Sequence, residues 1–128
     1  MYFFALLVFL LIDMLWLGII AKSFYQKQLA SFFKGPVNWT AAFIFYFLFI
    51  AGVLIFVVLP ALAQDSLMKA VVMGALFGLF TYATYDLTNL ATLKDWPLAV
   101  VIVDMLWGMV LIGLVSTTSF LFGKYVLK

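Results

Sequence analysis

Three aspartates, Asp13, Asp86 and Asp104, interrupt stretches that are otherwise almost wholly apolar, and they are the residues with the most chemistry to explain. A carboxylate in hydrocarbon costs about 2.5–3.5 kcal/mol on insertion scales. The chain has no histidine, its seven basic residues are all lysines, and none of these lies in the interior of the same stretches. The acids must therefore hold protons, bind a cation or face a water-filled cleft. At least one of the three is expected to keep a proton near neutral pH. Without cysteine or histidine, thiol catalysis, disulfides and the usual zinc and haem sites are excluded, and neither a metal centre nor a cofactor is expected.

The spacing of these acids adds a second clue. Asp13 lies nine residues before Lys22, Asp86 eight before Lys94, and Asp104 nine after Asp95. At about 1.5 Å per helical residue, all three fall roughly 12–14 Å from the same membrane surface. Around Asp86, Tyr82 and Asn89 share its helical stripe at i−4 and i+3. Tyr85 and Thr88 border that stripe, while Thr81, Thr84 and Thr92 extend its polarity. The tetrapeptide Asp-Met-Leu-Trp occurs at 13–16 and again at 104–107. In antiparallel helices the two copies address the acid layer from opposite directions. Trp107 would lie about 15 Å inside the membrane, where its indole N–H needs an acceptor such as a buried carboxylate, and Trp16 is placed to act in the same way. The candidate ligand-binding set is therefore Asp13, Trp16, Tyr82, Tyr85, Asp86, Asn89, Asp104 and Trp107. No residue is nominated as catalytic.

The elements that must position these residues follow from composition. Of the 128 residues 69% are hydrophobic and 9% charged, where a soluble domain carries about 25% charge. Four apolar stretches, at about 2–21, 39–60, 69–92 and 97–120, each approach the ~20 residues that span a bilayer as a helix. The expectation is an all-α integral membrane bundle of four transmembrane helices with short loops, forming one domain over 1–128. Asn38 is expected to cap the second helix, Pro60 to mark its end, Asp65 or Ser66 to cap the third and Asp95 the fourth. Trp39 and Trp96 read as interfacial anchors. Residues 23–33 read as a short interfacial helix whose apolar side carries Phe24 or Tyr25, Leu29, Phe32 and Phe33, stopped by Gly35 and Pro36. Lys22, Lys27, Lys34 and Lys94 on one side outnumber Lys69, Lys124 and Lys128 on the other, which puts both termini outside the cytoplasm of an inner membrane. A net charge of +2 spread over helix ends offers nothing to nucleic acid.

Taken together, IDMLWLG at 12–18, NW at 38–39, GALFGLFTYATYDLTNLATL at 74–93, WPL at 96–98 and VDMLWG at 103–108 resemble the bacterial membrane-protein family catalogued as domain of unknown function 2177. The resemblance spans nearly the whole chain. It implies a small four-pass protein and marks the same eight positions, without implying an activity. The residues themselves favour a small transporter or proton-coupled carrier for a proton or cationic solute. Asp86 would be its main site, Asp13 and Asp104 its electrostatic partners, and Tyr82 and Asn89 its polar ligands. A small-molecule or lipid-binding sensor would use the same layer, an intramembrane acid-base enzyme would act there on a lipid-like substrate, and an accessory subunit would pair its acids with another protein. Beyond the lipid bilayer, the expected partner is a second copy, with Gly74, Gly78 and Gly108 as places for close helix contact.

Overall fold

The computed structural model describes residues 1–33 and 35–127, so Lys34 and Lys128, two of the lysines counted for orientation, lie outside the described residues. The fold is all-α, with no β-sheet among the described residues. Helix α1 spans Tyr2–Ile20, α3 Trp39–Ala63, α4 Leu67–Thr92 and α5 Leu98–Tyr125, and each is long and apolar enough to cross a membrane. The short α2, Lys22–Leu29, follows α1 directly. Met1 lies against the Gly123 region of α5, so the chain starts and α5 ends on one side, and the 21–38 and 93–97 connections lie on the other.

Local chemistry sets the helix ends. The Asn38 side chain accepts from the Ala41 N–H at 3.1 Å, and the Ser66 hydroxyl accepts from the Lys69 N–H at 3.1 Å. Asp65 instead turns the chain at φ 48° and pairs with Lys124 at 2.8 Å. Two expectations need correcting. Asp95 does not cap α5: Pro97 holds the cap position in extended conformation, and Asp95 sits two residues earlier at φ 63°. A proline excludes helical backbone at the residue before it, which moves the start of the helix beyond Asp95. Nor does Pro60 end α3. A π-helical turn over Leu54–Val58 widens the helix just ahead of it, leaving Pro60 in the first turn of the final segment, where a missing N–H costs little.

The closest pairing is α4 against α5. A Cβ at Gly78 would fall on the Gly108 carbonyl, and one at Gly74 would lie 2.7 Å from the Ser116 hydroxyl oxygen and 2.9 Å from the Ile112 carbonyl oxygen. Helix backbones approach this closely only where side chains are absent. The glycines suggested as homodimer contacts are thus consumed within the chain. Against this pair α1 and α3 pack a core of Ala5, Phe9, Phe49, Ile50, Val53, Val58, Leu111, Ile112 and Val115. The first half of α3 packs mainly on α1, and only its later part, from Leu54 onward, makes extensive contact with α4 and α5.

Gly78→Ala should therefore destabilise the bundle by about 1–3 kcal/mol through overpacking. Gly18→Ala, at a position with nothing within 4 Å of an added Cβ, should stay within about 0.5 kcal/mol of the native protein. Equilibrium unfolding in mixed micelles measures both, and equal effects would contradict the packing described.

Candidate functional site

The three acids meet near the loop side of the bundle. Asp13 lies seven positions before Ile20, Asp86 six before Thr92, and Asp104 six after Leu98, so all lie about 9–11 Å inside their helix ends. Asp104 is the common neighbour, acting electrostatically on both Asp13 and Asp86. Among the described residues, no lysine pairs with any of them.

The acids differ in how their oxygens are satisfied. Asp13, 7% exposed, accepts from the Trp107 indole N–H at 3.3 Å. Asp104 accepts from the Tyr25 hydroxyl at 2.9 Å, and that hydroxyl in turn accepts from the Trp16 indole N–H at 3.3 Å. Trp16 and Trp107 stack face to face, with centroids 4.3 Å apart and planes 9° from parallel. Asp86 is fully buried, and neither of its oxygens receives a protein N–H or O–H donor. What lies beside it is the Asp104 carboxyl, close enough for a hydrogen bond between the two acids. Such a bond exists only when one of them carries a proton, because an ionised carboxylate has no donor.

Several candidate residues are placed differently from expectation. Tyr82 shares the helical stripe of Asp86 but does not ligate it. Its ring crosses over Gly108, where an added Cβ would strike it, and its hydroxyl is influenced by Asp13 and Asp104 instead. Asn89 lies beside Tyr85 and makes no hydrogen bond to Asp86. The threonines spend their hydroxyls on their own helix: Thr81 donates to the Phe77 carbonyl at 2.8 Å, Thr84 to Phe80 at 2.6 Å, Thr92 to Thr88 at 2.8 Å, and Thr88 to Thr84. That polarity is locally satisfied and calls for no ligand.

Four residues outside the candidate set join the site. Tyr25 and Leu29, on the inner face of α2, are buried against Trp96, Val100 and Val101, so α2 covers the acid layer on the loop side. Trp96 is thus a buried part of that cover, not an interfacial anchor: it is 6% exposed, its ring meets Tyr85 edge-on at 5.8 Å, and its N–H has no partner. Tyr46 on α3 lies within electrostatic reach of Asp13. The signal for Tyr25 was its place on the apolar side of an amphipathic segment, a pattern that a lipid anchor shares.

A cavity of about 330 Å³ reaches the layer between α3 and α4, lined by Phe45, Phe49, Thr81, Tyr82, Tyr85 and Asp104. At its inner end Phe49 stacks on Phe77, with centroids 5.8 Å apart, and from there α3 and α4 diverge toward the loop side.

With this arrangement in view, residues 1–121 match the family described as a predicted membrane protein, DUF2177. The chain belongs to that family. No curated protein and no solved structure gives a significant match. The DUF2177 description extends to a membrane protein, so the chemistry of this member has to be read from its own acid layer.

Burial and the neighbouring Asp104 push the Tyr25 hydroxyl above its ordinary value of 10.0, which keeps it a donor across the physiological range. Tyr25→Phe removes the donor to Asp104 and the acceptor for Trp16, and should cost about 1–3 kcal/mol. Because the folded protein holds this proton more tightly than the unfolded chain, the contribution is whole below pH 10 and is lost as pH rises past it. The stability gap between native and Tyr25→Phe protein, followed by tryptophan fluorescence during unfolding, should be flat up to that pH and then shrink. A gap that widened above it would contradict the assignment.

Proposed function

We propose that the protein is a small carrier in which the Asp86–Asp104 carboxyl pair exchanges a proton for a cationic solute. The observation that supports this most is the state of Asp86: fully buried, with no donor to either oxygen, and set against a second acid. A carboxyl kept only for packing would be supplied with donors, as Asp13 is by Trp107. In the empty carrier one proton bridges the two acids. An entering cation is balanced when that proton leaves, so site plus solute keeps a constant charge through the exchange. Asp13, held by the Trp107 indole N–H, stands beside the pair without being consumed.

A binding sensor is the second reading, favoured by one feature: α2 and Trp96 cover the layer on the loop side, as expected of a site that binds without passing its ligand on. In either case the reading sets the side bearing Lys22, Lys27 and Lys94 in the cytoplasm of an inner membrane, with both termini outside. Labelling of a cysteine at position 27 by an impermeant reagent added outside intact cells would reverse that orientation.

Asp86→Asn keeps size and most hydrogen-bonding capacity but cannot release a proton. In liposomes carrying an internal pH-sensitive dye, solute-dependent proton flux should be present in the native protein and lost in Asp86→Asn at matched insertion. The infrared band of a protonated carboxyl at neutral pH should weaken in the same variant. Equal flux in both proteins would remove Asp86 from the exchange, and ligand binding with no flux in the native protein would select the sensor.

A further inference from the structure

We infer that the solute is an amphipathic monocation, an apolar chain bearing one ammonium-type head, and that it enters sideways from the bilayer through the cleft between α3 and α4. This deepens the carrier reading, on which it rests for the role of the acid pair, by adding a route and a solute class.

The cleft wall comes first. Phe45 and Tyr85, two of its lining residues, are 53% and 55% exposed and lie within membrane-spanning helices, so the opening faces lipid tails rather than water. Its lining is aromatic apart from Thr81 and Asp104, and the Thr81 hydroxyl is already bonded to the Phe77 carbonyl. A bare or hydrated inorganic cation would have to exchange its water shell for the few hydroxyl oxygens of Thr81, Tyr82 and Tyr85 on an otherwise apolar wall. A chain that carries its own apolar body meets no such barrier. Phe45, Phe49, Tyr82 and Tyr85 supply contact surface for that chain and π faces for its cationic head.

Charge selects the head group. Asp104 is the one ionisable carboxyl in the lining, and directly beside it lies Asp86, fully buried and with no hydrogen-bond partner other than the Asp104 carboxyl. When the shared proton leaves, the two carboxylates need a cationic donor in its place, which an ammonium head provides and a carboxylate or phosphate does not. The alternative entry, from the loop side, is covered by Tyr25, Leu29 and Trp96, which are 7%, 4% and 6% exposed. A volume of about 330 Å³ admits the head and the first part of a chain, leaving the remainder among the lipids.

The test uses the full chain in nanodiscs of zwitterionic lipid, with radiolabelled dodecylamine as probe and protein-free discs as background. Saturable binding is expected, weakened about tenfold or more by Asp104→Asn and also by Thr81→Trp, which fills the cleft while leaving both carboxyl groups in the chain. A second cleft-filling change, Phe45→Trp, should weaken it in the same direction, and unfolding curves confirm that each variant is folded. Dodecanol and dodecanoate should fail to compete. Ethylamine, which has the head but little chain, should compete about a hundredfold more weakly or less. Saturable binding absent above the lipid background, equal competition by ethylamine, or unchanged binding in both cleft-filled variants would each overturn the inference. The carrier reading fails separately. Dodecylamine binding without proton flux keeps the solute class and rejects the carrier. Asp86-dependent flux with small water-soluble cations, and no dodecylamine binding, keeps the carrier and rejects this route.

Discussion

A carboxyl group inside a bilayer with no base beside it has to find neutral donors or share a proton, and most of this bundle's arrangement is organised around that requirement. Asp13 takes the indole N–H of Trp107, Asp104 the hydroxyl of Tyr25, and Asp86 stands against Asp104. Each solution joins different helices. The Trp107 bond ties α5 to α1, the Tyr25 bond ties α2 to α5, and the paired acids sit about one to two turns toward the loop side from where α4 and α5 cross at Gly78 and Gly108. An insertion penalty of about 2.5–3.5 kcal/mol per acid is thereby met with contacts that also fix helix positions.

The repeated Asp-Met-Leu-Trp segments show how antiparallel helices turn a short echo into a reciprocal device. Each tryptophan serves the acid of the other copy. Trp107 reaches Asp13 directly, and Trp16 reaches Asp104 through the Tyr25 hydroxyl. The stacked indoles at the centre hold the two arms in register. The symmetry stops at Tyr25, because α2 follows α1 without a counterpart after α5 among the described residues. That single insertion leaves the acid layer covered on the loop side, while the lipid side stays open between α3 and α4.

How much of this was legible in the sequence depends on whether a feature is set by length along one helix or by the choice of neighbour. The four spans and the common depth of Asp13, Asp86 and Asp104 follow from residue counts and a fixed rise, and both are found. The need of Trp107 for an acceptor followed from its depth alone. Partner choice did not follow. Tyr82 lies on the stripe of Asp86, but a helical stripe gives an azimuth and not the helix it faces, and the missing side chain of Gly108 lets the ring cross toward Asp13 and Asp104. Tyr25 and Trp96 carry the signature of lipid anchors, since an amphipathic segment looks the same whether its apolar side meets lipid or protein. The π-helical turns at Trp16–Ile20 and Leu54–Val58 lie beyond any pattern of apolar spacing, and the second carries α3 past Pro60.

The backbone contact between α4 and α5 also bears on how the acids reach the membrane interior. These helices are joined by the short 93–97 turn and meet through glycine, so they form a helical hairpin with Asp86 on one arm and Asp104 on the other. Helix α4 is the least apolar of the four spans. Partitioning alone, it would carry a buried carboxyl with no protein donor into hydrocarbon. Partitioning together with α5, it brings Asp86 to the one group able to share a proton with it. The hairpin is thus the smallest part of the fold that carries both acids and the contact between them.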